Sequence, residues 1–182
     1  MESVRINKPD AASQQLDVAI ATLFTQDNAV VVQTLAGAAA AIVAETNAAT
    51  APVESWHIAA RQACGVGGEQ FTEIMQFAAE HARQAGTAPY SIERFTLAET
   101  TGLLVSTIFG VGQIRGKLTI SQCVFVLWNL ACRLSALGPE FRYKQQIRSC
   151  FGNLGRKSLK YRLVVGRRVL LAEMDRIAGS TN

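Results

Sequence analysis

The chain has 182 residues, 49% hydrophobic, 18% charged and 7% aromatic. That apolar content can outweigh chain entropy and excludes a wholly disordered polypeptide, while four prolines and 14 glycines exclude collagen-like and proline-rich classes. The formal charge of +4 is lopsided: residues 1–91 carry four Lys/Arg against nine Asp/Glu, whereas 92–182 carry 14 against five.

Pro9 and Asp10 open the first predicted helix, where proline is tolerated and an acid complements the helix dipole. Leu16, Ile20, Leu23 and Phe24 follow at helical spacing as one apolar stripe. Asp27-Asn28 is a break and a fresh cap. A second helix is expected over about 29–45, facing the core with Val31, Leu35, Ala38, Ala39, Ile42 and Val43. Its small residues Gly37 to Ala41 invite close approach of another helix, and 46–52 reads as a loop.

Short helices are expected over about 53–63 and 69–85, separated by the glycine-rich 65–68, with Gly86 as a C-cap and a turn over 87–94. The segment 96–112 reads as a helix punctuated by Gly110, Gly112 and Gly116. The next helix, about 119–136, carries Ile120, Phe125, Leu127, Trp128, Leu130 and Leu134 and stops at Gly138-Pro139. A short basic helix over about 140–151 leads to a hinge at Gly152 and Gly155. The last helix, about 157–177, sets Leu159, Leu163, Leu170, Met174 and Ile177 on one face. Arg156, Lys157, Lys160, Arg167 and Arg168 lie on the adjoining face, and Gly166 weakens the helix in mid-course. From Pro139 onward ten Lys/Arg face three Asp/Glu, a +7 tail that suits a polyanion or an acidic lipid.

The longest charge-free stretches, 28–44, 100–114 and 118–132, hold 17, 15 and 15 residues. Crossing a bilayer takes about 20 mostly apolar residues, so buried core helices explain all three and no integral span is expected. Arg115 and Lys117 are the charges that would flank a short membrane hairpin. The N-terminus shows no apolar signal region, and the cysteines at 64, 123, 132 and 150 have neither CxxC spacing nor flanking histidines for a zinc site. Cys123 and Cys132 lie in an apolar run and read as small core hydrophobes, so a reducing, cytoplasmic setting is expected.

Chemistry-bearing motifs are sparse. Gly110-Val-Gly-Gln-Ile-Arg-Gly-Lys-Leu-Thr119 resembles a phosphate-binding loop but fails on register: Val111 stands where the first glycine belongs, and Leu118 follows Lys117 where Ser or Thr belongs. His57 and Arg61 share a helix face with Glu54 nearby, a pairing able to move protons and steady a phosphorane, and His81 is flanked by Glu80 and Arg83. No catalytic triad, metal cluster or cofactor motif is legible.

The run Lys8 to Phe24, then Asp27, then Val31 to Ile42 resembles an uncharacterised family of small bacterial all-helical proteins that opens with Ala-x-x-Gln-Leu-Asp-x-Ala-Ile and a Thr-Leu-Ala-x-Ala-Ala helix. The likeness continues loosely through Phe77 to Ala82, with Glu80 in place of a lysine and Arg83 in place of an aspartate, and fades after Pro139. The family carries no assigned activity. Its paired helices are broadly similar to HEPN-type domains, some of them ribonucleases with an Arg-x(4–6)-His motif. That resemblance implies a degenerate ribonuclease using His57 or His81, although neither histidine has an arginine five to seven residues before it.

The expectation is therefore an all-α bundle of six or more helices, with a bundle domain over 1–138 and a basic helical extension over 139–182 packed on it. The expected function is a non-enzymatic binding or assembly module, a homo-oligomer without cofactor, metal or catalytic residues. Its Arg156, Lys157, Lys160, Arg167 and Arg168 would contact RNA or another polyanion; the alternatives are the degenerate ribonuclease and a membrane-associated helical protein.

Overall fold

The computed structural model describes residues 6–25, 28–50, 97–135, 141 and 143–180. Its six helices, numbered in chain order among the described residues, are α1 (Lys8–Thr25), α2 (Ala29–Thr50), α3 (Leu97–Arg115), α4 (Ile120–Cys132), α5 (Lys144–Phe151) and α6 (Leu159–Gly179). No strand occurs among the described residues, so the all-α expectation holds. The helices and turn expected between 53 and 94, with His57, Arg61 and His81, lie outside the described residues.

Helix α1 lies at the centre, touching α2, α3, α4 and α6, while α5 bridges α4 and α6. Its stripe of Leu16, Ile20, Leu23 and Phe24 is buried as expected. The helix starts at Lys8 because Asn7 caps it, its Oδ1 accepting from the Asp10 amide at 2.8 Å. Asn28 caps α2 in the same way, accepting from the amides of Val30 and Val31.

Two expectations for α2 need correction. The helix runs on through Thr50, where a loop was expected, because its alanine-rich sequence favours helix. Its buried stripe is Val32, Ala36, Ala39 and Val43, whereas Val31 is half-exposed. The stripe is displaced because a helix apolar on most sides gives little signal of which side turns inward. Of the small residues 37–41, Ala39 is fully buried and Ala40 packs against the core, whereas Gly37 has nothing within 4 Å of a Cβ placed on it. A still closer approach occurs at Gly110, where a Cβ would collide with Val43 Cγ1.

Gly110 and Gly112 accordingly lie inside α3, and the helix stops only at Gly116, whose φ of 69° suits glycine. Ser106 and Thr107, both buried in α3, donate their hydroxyls to the Leu103 carbonyl, which satisfies them within the helix. Helix α4 opens on a capping box: Thr119 Oγ1 accepts from the Gln122 amide and Gln122 Oε1 accepts from the Thr119 amide. It ends at Cys132, before the stop expected at Gly138-Pro139. Cys123 is exposed, not a core residue, while Cys132 is partly buried and its thiol is pushed up to about 11 by burial, against the pull of Arg162 and Arg133.

The C-terminal segment shares the core of the rest. Ile147, Phe151, Leu154, Leu163, Val165 and Leu170 join one cluster with the buried residues of α1 to α4. Phe24, Phe125 and Trp128 form its aromatic centre, with ring centroids 5.3 to 6.2 Å apart. Burying each such side chain contributes about 1.5–3 kcal/mol.

Candidate polyanion-binding face

Helix α6 is held by two contacts that sequence alone does not announce. At Gly166 a Cβ would meet Phe24 Cε1 at 2.5 Å, so the glycine that weakens the helix is what lets α6 lie against the α1 ring. The Trp128 indole N–H donates to the Arg162 carbonyl at 2.7 Å, tying α6 to α4. Arg162 also turns its guanidinium back on the preceding turn, donating from Nε to the Lys157 carbonyl and from Nη2 to the Gly155 carbonyl, both at 2.8 Å. This arginine is a clasp for residues 155–157, a role that its position among the other cations conceals. Ser158 caps α6, its hydroxyl accepting from the Tyr161 amide.

The apolar face expected for α6 is only partly buried. Leu163 and Leu170 are inward with Val165 and Gly166, but Leu159, Met174 and Ile177 are exposed. From Leu171 to Ser180 only Glu173 is even half-buried, so the described helices do not cover the stripe of the distal helix.

All five cations expected at the site, Arg156, Lys157, Lys160, Arg167 and Arg168, are exposed. Arg156 and Lys157 stand in the clasped turn and the other three on α6. Lys160, Arg167 and Arg168 fall within about 100° of one another around the helix and about 12 Å along it. Lys157 Nζ sits 5.6 Å from the centre of the Tyr161 ring, an exposed aromatic. None of the five is ion-paired among the described residues, whereas Arg176 further along is paired with Glu173 at 2.9 Å. The first turn of α6 contains no acid. Cations at a helix N-terminus oppose the macrodipole by about 0.3–1 kcal/mol each, so Lys157 and Lys160 stand where local stability disfavours them.

The other charged region is built differently. Arg115 donates from Nε to Asp10 Oδ1 at 2.8 Å and from Nη1 to Ser13 Oγ at 2.7 Å. Fully buried Gln122 donates to the Ser13 hydroxyl and to Asp17 Oδ1, which also accepts from Thr119 Oγ1 at 2.6 Å. Burial raises the Asp17 carboxyl above its ordinary 3.8, although the Thr119 and Gln122 bonds and the Arg115 charge pull it down. Arg115 is thus committed to α1, and the glycine-rich segment 110–119 is helix followed by a capped turn whose Thr119 hydroxyl is already engaged. The Thr119-x-x-Gln122 spacing was the legible signal for that cap.

Among the described residues no group of three His, Cys, Asp or Glu could hold a metal ion. A shallow pocket of about 480 Å³ beside α5 is lined, among the described residues, by Tyr143, Gln145, Gln146 and Ser149, a set without a carboxylate, imidazole or thiol. Helix α2 contains one window, Ala29–Thr46, long and apolar enough to cross a membrane, with mean hydropathy 1.6; 22% of it is buried against the rest of the chain. No family model, curated protein or solved structure matches this chain.

Proposed function

We propose that this chain is a non-enzymatic binding module whose C-terminal helix docks a polyanion bearing phosphodiester charge, as RNA does. The observation that carries the reading is the set of five exposed cations at 156–168, without an ion-pair partner among the described residues, two in the clasped turn and three on a helix that Gly166 and Trp128 anchor to the core. Side chains of this kind neutralise phosphates without reading sequence, so binding depends steeply on salt.

Retention of a labelled single-stranded RNA on filters, measured across a salt series, tests this. The wild-type chain is expected to bind at low salt and release as salt rises. Replacing Lys160, Arg167 and Arg168 together by alanine is expected to flatten the log–log salt slope by about 2, because each phosphate neutralised on a single strand adds about 0.7 to that slope. Absence of retention of RNA and of any other polyanion, even at the lowest salt, would overturn the reading.

A further inference from the structure

The exposed face of α6 carries more than charge. Val164, Leu171 and Met174 are 53%, 49% and 43% exposed. By helical arithmetic they lie within about 40° of Lys160 and about 60° of Arg167, so apolar and cationic side chains share one stripe about 21 Å long from 160 to 174. Tyr161, half-exposed, borders the stripe, and Leu159 and Ile177 add apolar surface beyond it. A nucleic-acid backbone gives aliphatic side chains in this position nothing to bury against, and Val164, Leu171 and Met174 would stay wet in such a complex.

We infer that the polyanion is the anionic surface of a lipid bilayer, met by α6 lying in the plane of the headgroups. This rests on the polyanion-docking reading and names its partner. A bilayer accepts both halves of the stripe: the aliphatic side chains enter the acyl boundary, and Lys160, Arg167 and Arg168 extend their stems to reach headgroup phosphates. Tyrosine suits the same boundary, with its ring in the interface and its hydroxyl wet. The distal turns are exposed on nearly every side, so the bundle does not hold them off a flat surface. The acids on α6 permit this approach. Glu173 is half-buried on the opposite side and taken up by Arg176, and Asp175 is the one carboxylate bordering the stripe, next to the Arg168 side of it.

The test is flotation of the full chain with two kinds of vesicle, phosphatidylcholine alone and phosphatidylcholine mixed in equal parts with phosphatidylserine, alongside RNA retention and light-scattering mass. Three versions are compared: wild type, the apolar variant Val164→Ser/Leu171→Ser/Met174→Ser, and the cationic variant Lys160→Ala/Arg167→Ala/Arg168→Ala. All six positions are exposed, so the fold tolerates both variants. Wild type is expected to float with serine-containing vesicles and not with phosphatidylcholine alone. The apolar variant should lose about tenfold or more of that partitioning, from the apolar area no longer buried, while keeping its RNA retention. The cationic variant should lose about fivefold per charge on vesicles and bind RNA more weakly as well. Binding of RNA without flotation would overturn the lipid inference and leave the polyanion reading standing, whereas loss of both would overturn the two together. Equal flotation of wild type and the apolar variant would also overturn the inference. So would a stable dimer of wild type that the apolar variant dissociates without any vesicle binding, because the stripe would then belong to a second copy.

Discussion

The turn between α3 and α4 and the start of α6 are both rich in polar and charged side chains, yet they use them in opposite ways. At the first, Arg115, Asp10, Ser13, Asp17, Thr119 and Gln122 bond to one another and fasten the turn to α1. At the second, among the described residues, Arg162 is bonded inward, and Arg156, Lys157, Lys160, Arg167 and Arg168 face solvent without an acid partner. The difference separates charge that builds the fold from charge that is free to meet something else. A substitution in one region should alter stability, and in the other it should alter binding alone.

The largest expected effect falls on the joint between the regions. Phe24→Ala empties the aromatic centre and removes the surface on which α6 rests, so chemical denaturation should show a loss of about 3–5 kcal/mol. Gly166→Ala drives a methyl into the same ring, which is itself 2% exposed and has no room to retreat. Overpacking costs about 1–3 kcal/mol, offset by the roughly 1 kcal/mol that alanine gains over glycine in a helix, leaving a net loss of up to about 2 kcal/mol by the same assay. The comparison itself is tested by Arg115→Ala against Arg168→Ala. The first removes the Arg115 bonds to Asp10 Oδ1 and Ser13 Oγ, leaving Asp10 its Asn7 donor and Ser13 its Gln122 donor, and should cost about 1–2 kcal/mol. The second should stay within about 0.5 kcal/mol of wild type while weakening RNA or vesicle binding. Equal destabilisation by the two would erase the distinction.

The smallest effect is a pH dependence. Burial, the largest influence on Asp17, raises its folded pKa above the ordinary 3.8, so the folded chain holds this proton more tightly than the unfolded chain does. Its contribution to stability therefore falls as pH rises through the window between the unfolded and folded values, and the cost is fully present above it. Asp17→Asn keeps the Oδ1 acceptor for Thr119 and Gln122 and removes the charge. Thermal melts should show a slightly higher Tm for the variant at neutral pH and no advantage below the unfolded carboxyl value. A variant less stable at neutral pH would mean that the Thr119 and Gln122 bonds to the charged carboxylate, with the Arg115 charge, outweigh the burial.

The central helix was legible because Leu16, Ile20, Leu23 and Phe24 recur at helical spacing along one side of α1, and all four are buried. The exposure of the five cations was legible for a related reason, since Lys and Arg off the apolar face of a helix turn to solvent, although Arg162 in the same run turns back on the Gly155 and Lys157 carbonyls. What could not be read was phase and pairing. In α2 the surrounding alanines gave Val31 and Val32 equal claim to the core, and only the packing against α1 and α3 selects Val32. In α6 the spacing found a real apolar stripe, but coverage depends on how far the neighbouring helices reach, and they stop short of Met174 and Ile177. Gly166 and Gly110 looked like weak points because propensity is local, whereas their value lies in the Phe24 ring and the Val43 methyl, each far away in sequence.

The bond from the Trp128 indole to the Arg162 carbonyl gives the molecule a built-in optical gauge. The indole ring is packed in the core, and its one polar atom is attached to the residue that clasps the cationic turn. Two hydrogen-bonded steps, from the Lys157 carbonyl to the Arg162 guanidinium and from the Arg162 carbonyl to the indole, connect the cationic turn with a chromophore. With Trp56 replaced by phenylalanine, the emission of the remaining tryptophan should shift when a ligand seats on the turn, and should stay still when the ligand touches another part of the surface.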